Sequence, residues 1–250
     1  GSLFIKPKSF LRYIAIILYR ISLKNSDEIW FTNNSDLNDF LKYKVISSRI
    51  KTKIVPGCGV SSSFFYPKKK QINKKNILMI ARLQSEKGVN EYLHLADKYK
   101  NLGYSFTLVG SINTSDPSRI QLSTLKSLIS DKIISYIPFA SNVLSLYDSA
   151  DCFILPSYRE GLSQSLIEAS SCGCPIVTTD VPGCKDVVIH NKTGFIVPDR
   201  NVKLLTKYLQ ILMTDKNKRE YFANNARKYA IENFDEKIIL KQFKKIYEKI

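Results

Sequence analysis

The chain has 250 residues, 44% of them hydrophobic, enough for one full domain with a sizeable core and some accessory structure. Thirty-eight Lys and Arg against twenty-two Asp and Glu leave a net charge of +16, which favours an anionic partner: nucleic acid, an anionic membrane surface or a phosphate-bearing substrate. No zinc-finger spacing, RNA-binding aromatic signature or basic-aromatic alternation is present, so nucleic acid is the weakest of the three, and no apolar run reaches transmembrane length or reads as a signal peptide.

Residues 9–24, SFLRYIAIILYRISLK, place apolar side chains at helical spacing with Arg12, Arg20 and Lys24 on the other side. Such a helix suits the edge of a sheet or an anionic membrane; packing is the preferred expectation, and peripheral membrane contact stays open. A strand is expected over Glu28–Thr32, then a short helix over Asn34–Tyr43 capped by Asn34 or Ser35. Lys53 to Pro67 reads as a strand entering a turn at Gly57 and Gly59, and the Lys-rich run Lys68–Lys75 as an exposed linker.

Beyond the linker, strands and helices alternate. Strand Asn76–Ala81 leads through ARLQSEKGV into a helix over Gly88–Lys100, so Arg82 and Lys87 flank a βα turn. Lone basic residues there are usually only solvated, although Arg offers a planar fork to phosphate and Lys a mobile charge. Strand Ser105–Val109, helix Pro117–Ser130, strand Lys132–Tyr136, helix Asn142–Ser149 and strand Cys152–Leu155 follow, with Pro117 in a first helical turn that does not need its N–H. This order predicts a doubly wound, Rossmann-like parallel α/β sheet with helices on both faces.

The stretch REGLSQSLIEASSCGCPIV, Arg159 to Val177, packs a turn, a helix and a strand start into nineteen residues. Ser163 suits the helix N-cap, Leu166, Ile167 and Ala169 the buried face, Gly173 the stop, and Pro175–Thr179 the next strand. In a strand-helix-strand unit the helix start lies at the carboxyl edge of the sheet, where free N–H groups attract an anion. Glu160 and Glu168 are roughly 12 Å apart at ~1.5 Å per helical residue, too far for an acid/base dyad but suited to two ends of one elongated ligand. Spacing alone favours a plainer reading, a dipole-stabilised acid followed by a surface Glu. A turn at Pro182 and Gly183, a hairpin-like HNKTGFIVP with strand Phe195–Val197, and three helices over Asn201–Met213, Asp215–Glu232 and Phe234–Lys249 complete the chain. His94 and His190 read as structural or solvated. The five cysteines form an odd set without metal-type pairs, which favours a reducing cytoplasm.

Glu160, seven intervening residues, Glu168, Ala169 and then Gly173-Cys174-Pro175 ahead of a β-branched strand resemble the donor-site signature of retaining GT-B glycosyltransferases. The resemblance is to the large group 1 (family 4) typified by bacterial polysaccharide and lipopolysaccharide transferases. It implies the carboxy-terminal, donor-binding half of a GT-B enzyme over 71–232, a remnant of the amino-terminal acceptor domain over 1–70, and a crossover helix over 233–250. The expectation is therefore a fragment that binds donor yet transfers no sugar. Ser61 stands where an Asp is usual, and Ala81 where a Gly often precedes the Arg.

The implied reaction moves a hexose or N-acetylhexosamine from a nucleotide diphosphate sugar, expected to be UDP-linked, to a glycan or lipid-linked acceptor. By the same resemblance Glu160 holds the transferred sugar, Glu168 the ribose, Arg82 and Lys87 the phosphates, and Ile137 the base through its main chain. No metal-ligand cluster is legible and no cofactor is called for, so the departing diphosphate is expected to meet fixed charge from Arg82, Lys87 and the amides of Gly161, Leu162 and Ser163. Two rivals stand beside this reading: a sugar-nucleotide epimerase of related architecture, and a non-catalytic module that binds polyanions or membrane with strong salt dependence.

Overall fold

The computed structural model describes residues 10–67, 75–112, 120 and 122–248. The expected linker residues 68–74 and Pro117 lie outside these. The amino end forms α1 (Phe10–Ser22), β1 (Glu28–Phe31), α2 (Asn34–Lys42) and β2 (Lys51–Ile54). The two strands pair in parallel, Glu28 opposite Lys51 and Phe31 opposite Ile54. Strand alternation sends Ile29 and Phe31 into a small core with Val45 and Ile46, while Trp30 faces the other way, 5.5 and 5.8 Å from the rings of Phe243 and Tyr247.

Helix α1 packs on this core, but not by the face its periodicity suggested. Arg12 stacks on Tyr43 at 5.1 Å, and Arg20 donates to Lys44 O and Tyr43 O at 2.8 and 3.0 Å. Ile16 and Leu23 complete this inner stripe, whereas Phe10, Leu11, Tyr13, Leu18 and Ile21 are exposed. Arg20 lies along the exposed rim of this unit, where its guanidinium finds acceptors in the carbonyls past the end of α2.

The remaining elements are β3 (Asn76–Ile80), α3 (Val89–Tyr99), β4 (Ser105–Val109), α4 (Leu122–Ser130), β5 (Ile134–Ile137), α5 (Val143–Ser149), β6 (Cys152–Leu155), α6 (Gln164–Ser171), β7 (Ile176–Thr179), β8 (Gly194–Val197), α7 (Val202–Thr214), α8 (Lys216–Phe234) and α9 (Glu236–Tyr247). Strands β3 to β8 form one sheet in the order β5-β4-β3-β6-β7-β8, parallel throughout. Every residue of β6 and β7 is buried, as befits a parallel sheet covered on both faces. From β3 the chain winds one way to β4, and from β6 the other way to β7, so the order reverses between β3 and β6. That reversal opens a crevice at the carboxyl ends of these two strands.

Local details correct several expectations. Asn33, not Asn34 or Ser35, caps α2, its side chain accepting from Asp36 N at 2.8 Å. The segment after His190 is no hairpin: Asn191 turns at φ +60°, and β8 then joins β7 in parallel. Asn142, Asn201, Asp215 and Asp235 cap α5, α7, α8 and α9. Helix α9 crosses back to cover Trp30, and the turn into it is fastened to the chain after β2. Val60 N donates to Phe234 O at 2.8 Å, Glu236 N to Val60 O at 2.9 Å, and the Ser62 hydroxyl to the Asp235 carboxylate. No disulfide joins the five cysteines, of which Cys58 is exposed and the others buried, and among the described residues no helix is long and apolar enough to cross a membrane.

Candidate functional site

Three βα loops meet where β3, β6 and β7 end side by side. After β3 the chain passes Arg82, makes a 3-10 turn over Ser85–Lys87 and reverses at Gly88, where φ is +72°. A Cβ at Gly88 would lie 2.1 Å from Pro156 O, so the loop after β6 presses directly on this turn. Ser157 Oγ and Tyr158 N both donate to Glu86 O, at 3.1 and 2.8 Å, lacing the two loops together. The loop after β7 backs them: Gly183, at φ +76°, brings backbone atoms of Glu160 and Gly161 to 2.7 Å from where its Cβ would stand.

At this junction Lys87 Nζ donates to Glu160 Oε2 at 2.7 Å, with the two side chains 14% and 13% exposed. An ammonium has three donors, so this bond leaves others for an anion. Burial pushes the nearby Cys184 thiol up to about 12, with the Glu160 carboxylate adding to it, which favours the protonated thiol. Arg82 stands exposed at the other end of the β3 loop, without a side-chain partner among the described residues.

Gly161, Leu162 and Ser163 follow Glu160 into the start of α6. Ser163 departs from expectation twice. Its hydroxyl makes no capping bond, and its N–H already donates to Gly183 O at 3.1 Å, because the β7 loop folds under the helix start. The amides of Gly161 and Leu162 have no backbone acceptor among the described residues. Ile137 ends β5, two strands from β3, and its carbonyl accepts from Gly110 N at 3.0 Å.

Glu168 is turned toward α5 rather than toward Lys87. Its Oε2 accepts from Tyr147 Oη at 2.9 Å, the Gln164 side chain lies beside the same carboxylate, and burial raises its pKa above the ordinary glutamate value. On the other side of the junction the Tyr158 hydroxyl donates to Glu91 and its ring lies 4.3 Å beneath the Arg200 guanidinium. Burial pushes that phenol up to about 12, with the Glu91 bond adding to it.

Several participants were not singled out from the sequence. The small amino-terminal unit grips the Glu160 loop: Asn33 Nδ2 donates to Gly161 O at 2.6 Å, and Arg159 pairs with Asp36 at 3.0 Å. The run TNNSD carries a cap signal but nothing that names a partner 128 positions away. Tyr147 and Gln164 read only as helix residues. Gly183 was visible as a turn, not as the floor of the site. A separate cleft of about 820 Å³ lies against Glu28, Trp30, Lys51 and Lys53, and none of the candidate residues lines it.

Residues 62–229 match the family described as Glycosyl transferases group 1. The chain belongs to this family. It is 29% identical to N,N'-diacetylbacillosaminyl-diphospho-undecaprenol alpha-1,3-N-acetylgalactosaminyltransferase of Campylobacter jejuni, over 97% of this chain and 65% of that protein. It is 27% identical to the capsular polysaccharide biosynthesis glycosyltransferase CapM of Staphylococcus aureus, over 96% of this chain and 66% of that one. The chain thus spans a little under two thirds of the length of these relatives. In fold it is similar to HepE of Anabaena, solved in complex with UDP, with a TM-score of 0.86 and 16% identity over 99% of this chain and 70% of that one. The group 1 transferase chain thus has the Rossmann-like GT-B fold that its strand order displays.

Proposed function

We propose that this chain forms the donor side of a glycosyltransferase that moves a hexose or N-acetylhexosamine from a UDP-linked donor to a glycan or lipid-linked acceptor, with retention at the anomeric carbon. The observation that carries the reading is the Lys87–Glu160 pair at the β3/β6 reversal, in a chain of the group 1 family. The UDP and UDP-glucose complexes of HepE support the nucleotide, and the name of the Campylobacter jejuni relative supports a lipid-linked acceptor.

The chemistry asks for charge at the diphosphate and hydrogen-bond acceptors at the two sugars. Lys87, with Arg82 across the loop and the Gly161 and Leu162 amides, offers positive potential to the departing diphosphate. The bond to Glu160 holds the ammonium in place before the ligand arrives, so little reorganisation is needed when negative charge develops. Glu160 then accepts from hydroxyls of the transferred sugar, Glu168 from the ribose, and the main chain at the end of β5 meets the base.

Titration calorimetry with UDP, GDP and ADP tests the site and the donor class together. UDP is expected to bind best. Glu168→Ala should weaken UDP by about 1–3 kcal/mol, the range for a lost charged hydrogen bond, whereas Glu160→Ala should spare UDP and weaken UDP-sugar. Equal loss of UDP in both variants would mean that the ends of the ligand are wrongly assigned, and equal binding of all three nucleotides would leave only a polyanion site.

A further inference from the structure

We propose that Tyr147, which cannot itself reach the donor, is a positioning residue for nucleotide binding: from beneath α6 its hydroxyl holds one oxygen of Glu168 so that the carboxylate's remaining acceptors are presented to the ribose. The inference rests on the ribose role of Glu168 and extends it to a residue on another helix. Tyr147 is fully buried, its ring 5.8 Å from Phe153 and 6.2 Å from Phe65, so packing of the ring fixes where its hydroxyl points. That hydroxyl is 2.9 Å from Glu168 Oε2 and 3.3 Å from Ser165 O. One O–H serves one strong acceptor, and the shorter, charged one wins.

Donor and acceptor numbers give the arrangement its meaning. An ionised carboxylate offers about four lone-pair directions. Tyr147 takes one, which leaves about three, enough for the two hydroxyls of a ribose. The neighbouring Gln164 is itself anchored, since its Nε2 donates to Gly59 O at 3.0 Å. Glu168 is therefore held by a rigid phenol on α5, beside an amide tied to the chain that leaves the small sheet.

The same arrangement opposes protonation. Burial raises the Glu168 pKa, while the Tyr147 bond and the neighbouring Gln164 amide lower it, and no charged group is among the influences on it. Around Tyr147 the other titratable neighbours are the buried thiols Cys172 and Cys174, and the loop that anchors Gln164 carries the exposed thiol Cys58. A protonated Glu168 would lose acceptor capacity, so nucleotide affinity should fall as pH drops through its pKa. Removing the Tyr147 donor raises that pKa further and moves the loss to higher pH.

The test is UDP affinity as a function of pH, with folding followed by circular dichroism at each point. Tyr147→Phe should weaken UDP about tenfold at neutral pH and shift the acid limb upward. Glu168→Gln reports the nucleotide's own protonation and should lack the Glu168 limb, and adding Tyr147→Phe to it should move nothing further. If Tyr147→Phe folds poorly, 3-fluorotyrosine placed at 147 keeps the shape with a stronger donor and should shift the limb downward. An unmoved acid limb in a folded Tyr147 variant overturns the inference and leaves Tyr147 as packing only. Full UDP affinity in Glu168→Ala instead overturns the ribose role, so the two failures are distinct.

Discussion

The two parallel sheets of this chain are finished to different degrees. In the six-stranded sheet β6 and β7 are buried at every position, and helices close both faces. In the two-stranded sheet β2 has no buried residue, and α1 packs on the small core through Ile16 and Leu23 while Phe10, Leu11, Tyr13, Leu18 and Ile21 stay exposed. A pair of strands buries too little surface to stand alone, so the small unit depends on α9 and on the loops of the large one. The division also sorts the candidate residues. The large unit fixes Lys87, Glu160 and Glu168, while the small unit reaches over with Asn33 and Asp36 to hold the loop that carries Glu160.

The sharpest way to break this contrast is in the cores. Phe153→Ala, at a fully buried position of β6, should cost about 3–5 kcal/mol in chemical denaturation and weaken the whole molecule. Phe31→Ala removes the same side chain from β1 but should chiefly speed amide exchange in α1, β1 and β2, with protection of β3 to β7 retained. Equal loss of protection in both sheets would show that they unfold as one unit.

Asp235 joins the two units and should rank next. It caps α9 through Lys237 N at 2.9 Å and accepts from Ser62, so Asp235→Ala should cost about 0.5–2 kcal/mol. Burial raises the Asp235 pKa, but the bonds from Ser62 and Lys237 outweigh it and leave the carboxyl below the ordinary aspartate value. A depressed folded-state pKa stabilises above the unfolded value of about 3.9 and is lost as pH falls through the folded one. Stability curves of Asp235→Ala should accordingly lack that part of the acid destabilisation.

Asn33 separates capping from gripping. Asn33→Ala removes both and should cost about 0.5–2 kcal/mol, whereas Asn33→Asp keeps the cap but withdraws the donor from Gly161 O. If the grip matters, Asn33→Asp should weaken UDP-sugar more than it lowers the melting temperature. The smallest effect is expected on the outer face of α1: Leu18→Ser, at a side chain 60% exposed, should change stability by less than about 0.5 kcal/mol. A larger loss would mean that this face is covered in solution.

By itself the sequence determined the order of the elements, the parallel sheet and the loops that carry the site. Those follow from local signals: apolar runs such as Cys152–Leu155, stops such as Gly173, and polar turns at strand ends. Strand Ser105–Val109 was legible to the residue, and strand Ile134–Ile137 only to within two. Tertiary structure alone decided which loop residues meet. Lys87 and Glu160 are 73 positions apart and touch because the chain winds outward in both directions from adjacent β3 and β6. The Ser163 amide was taken by Gly183, and Glu168 turned to Tyr147, through helix and loop packing that periodicity cannot encode. The orientation of α1 was reversed for a similar reason. A hydrophobic stripe says that a face prefers to be covered, but it does not show that Arg20 would meet the carbonyls of Tyr43 and Lys44 and Arg12 the ring of Tyr43.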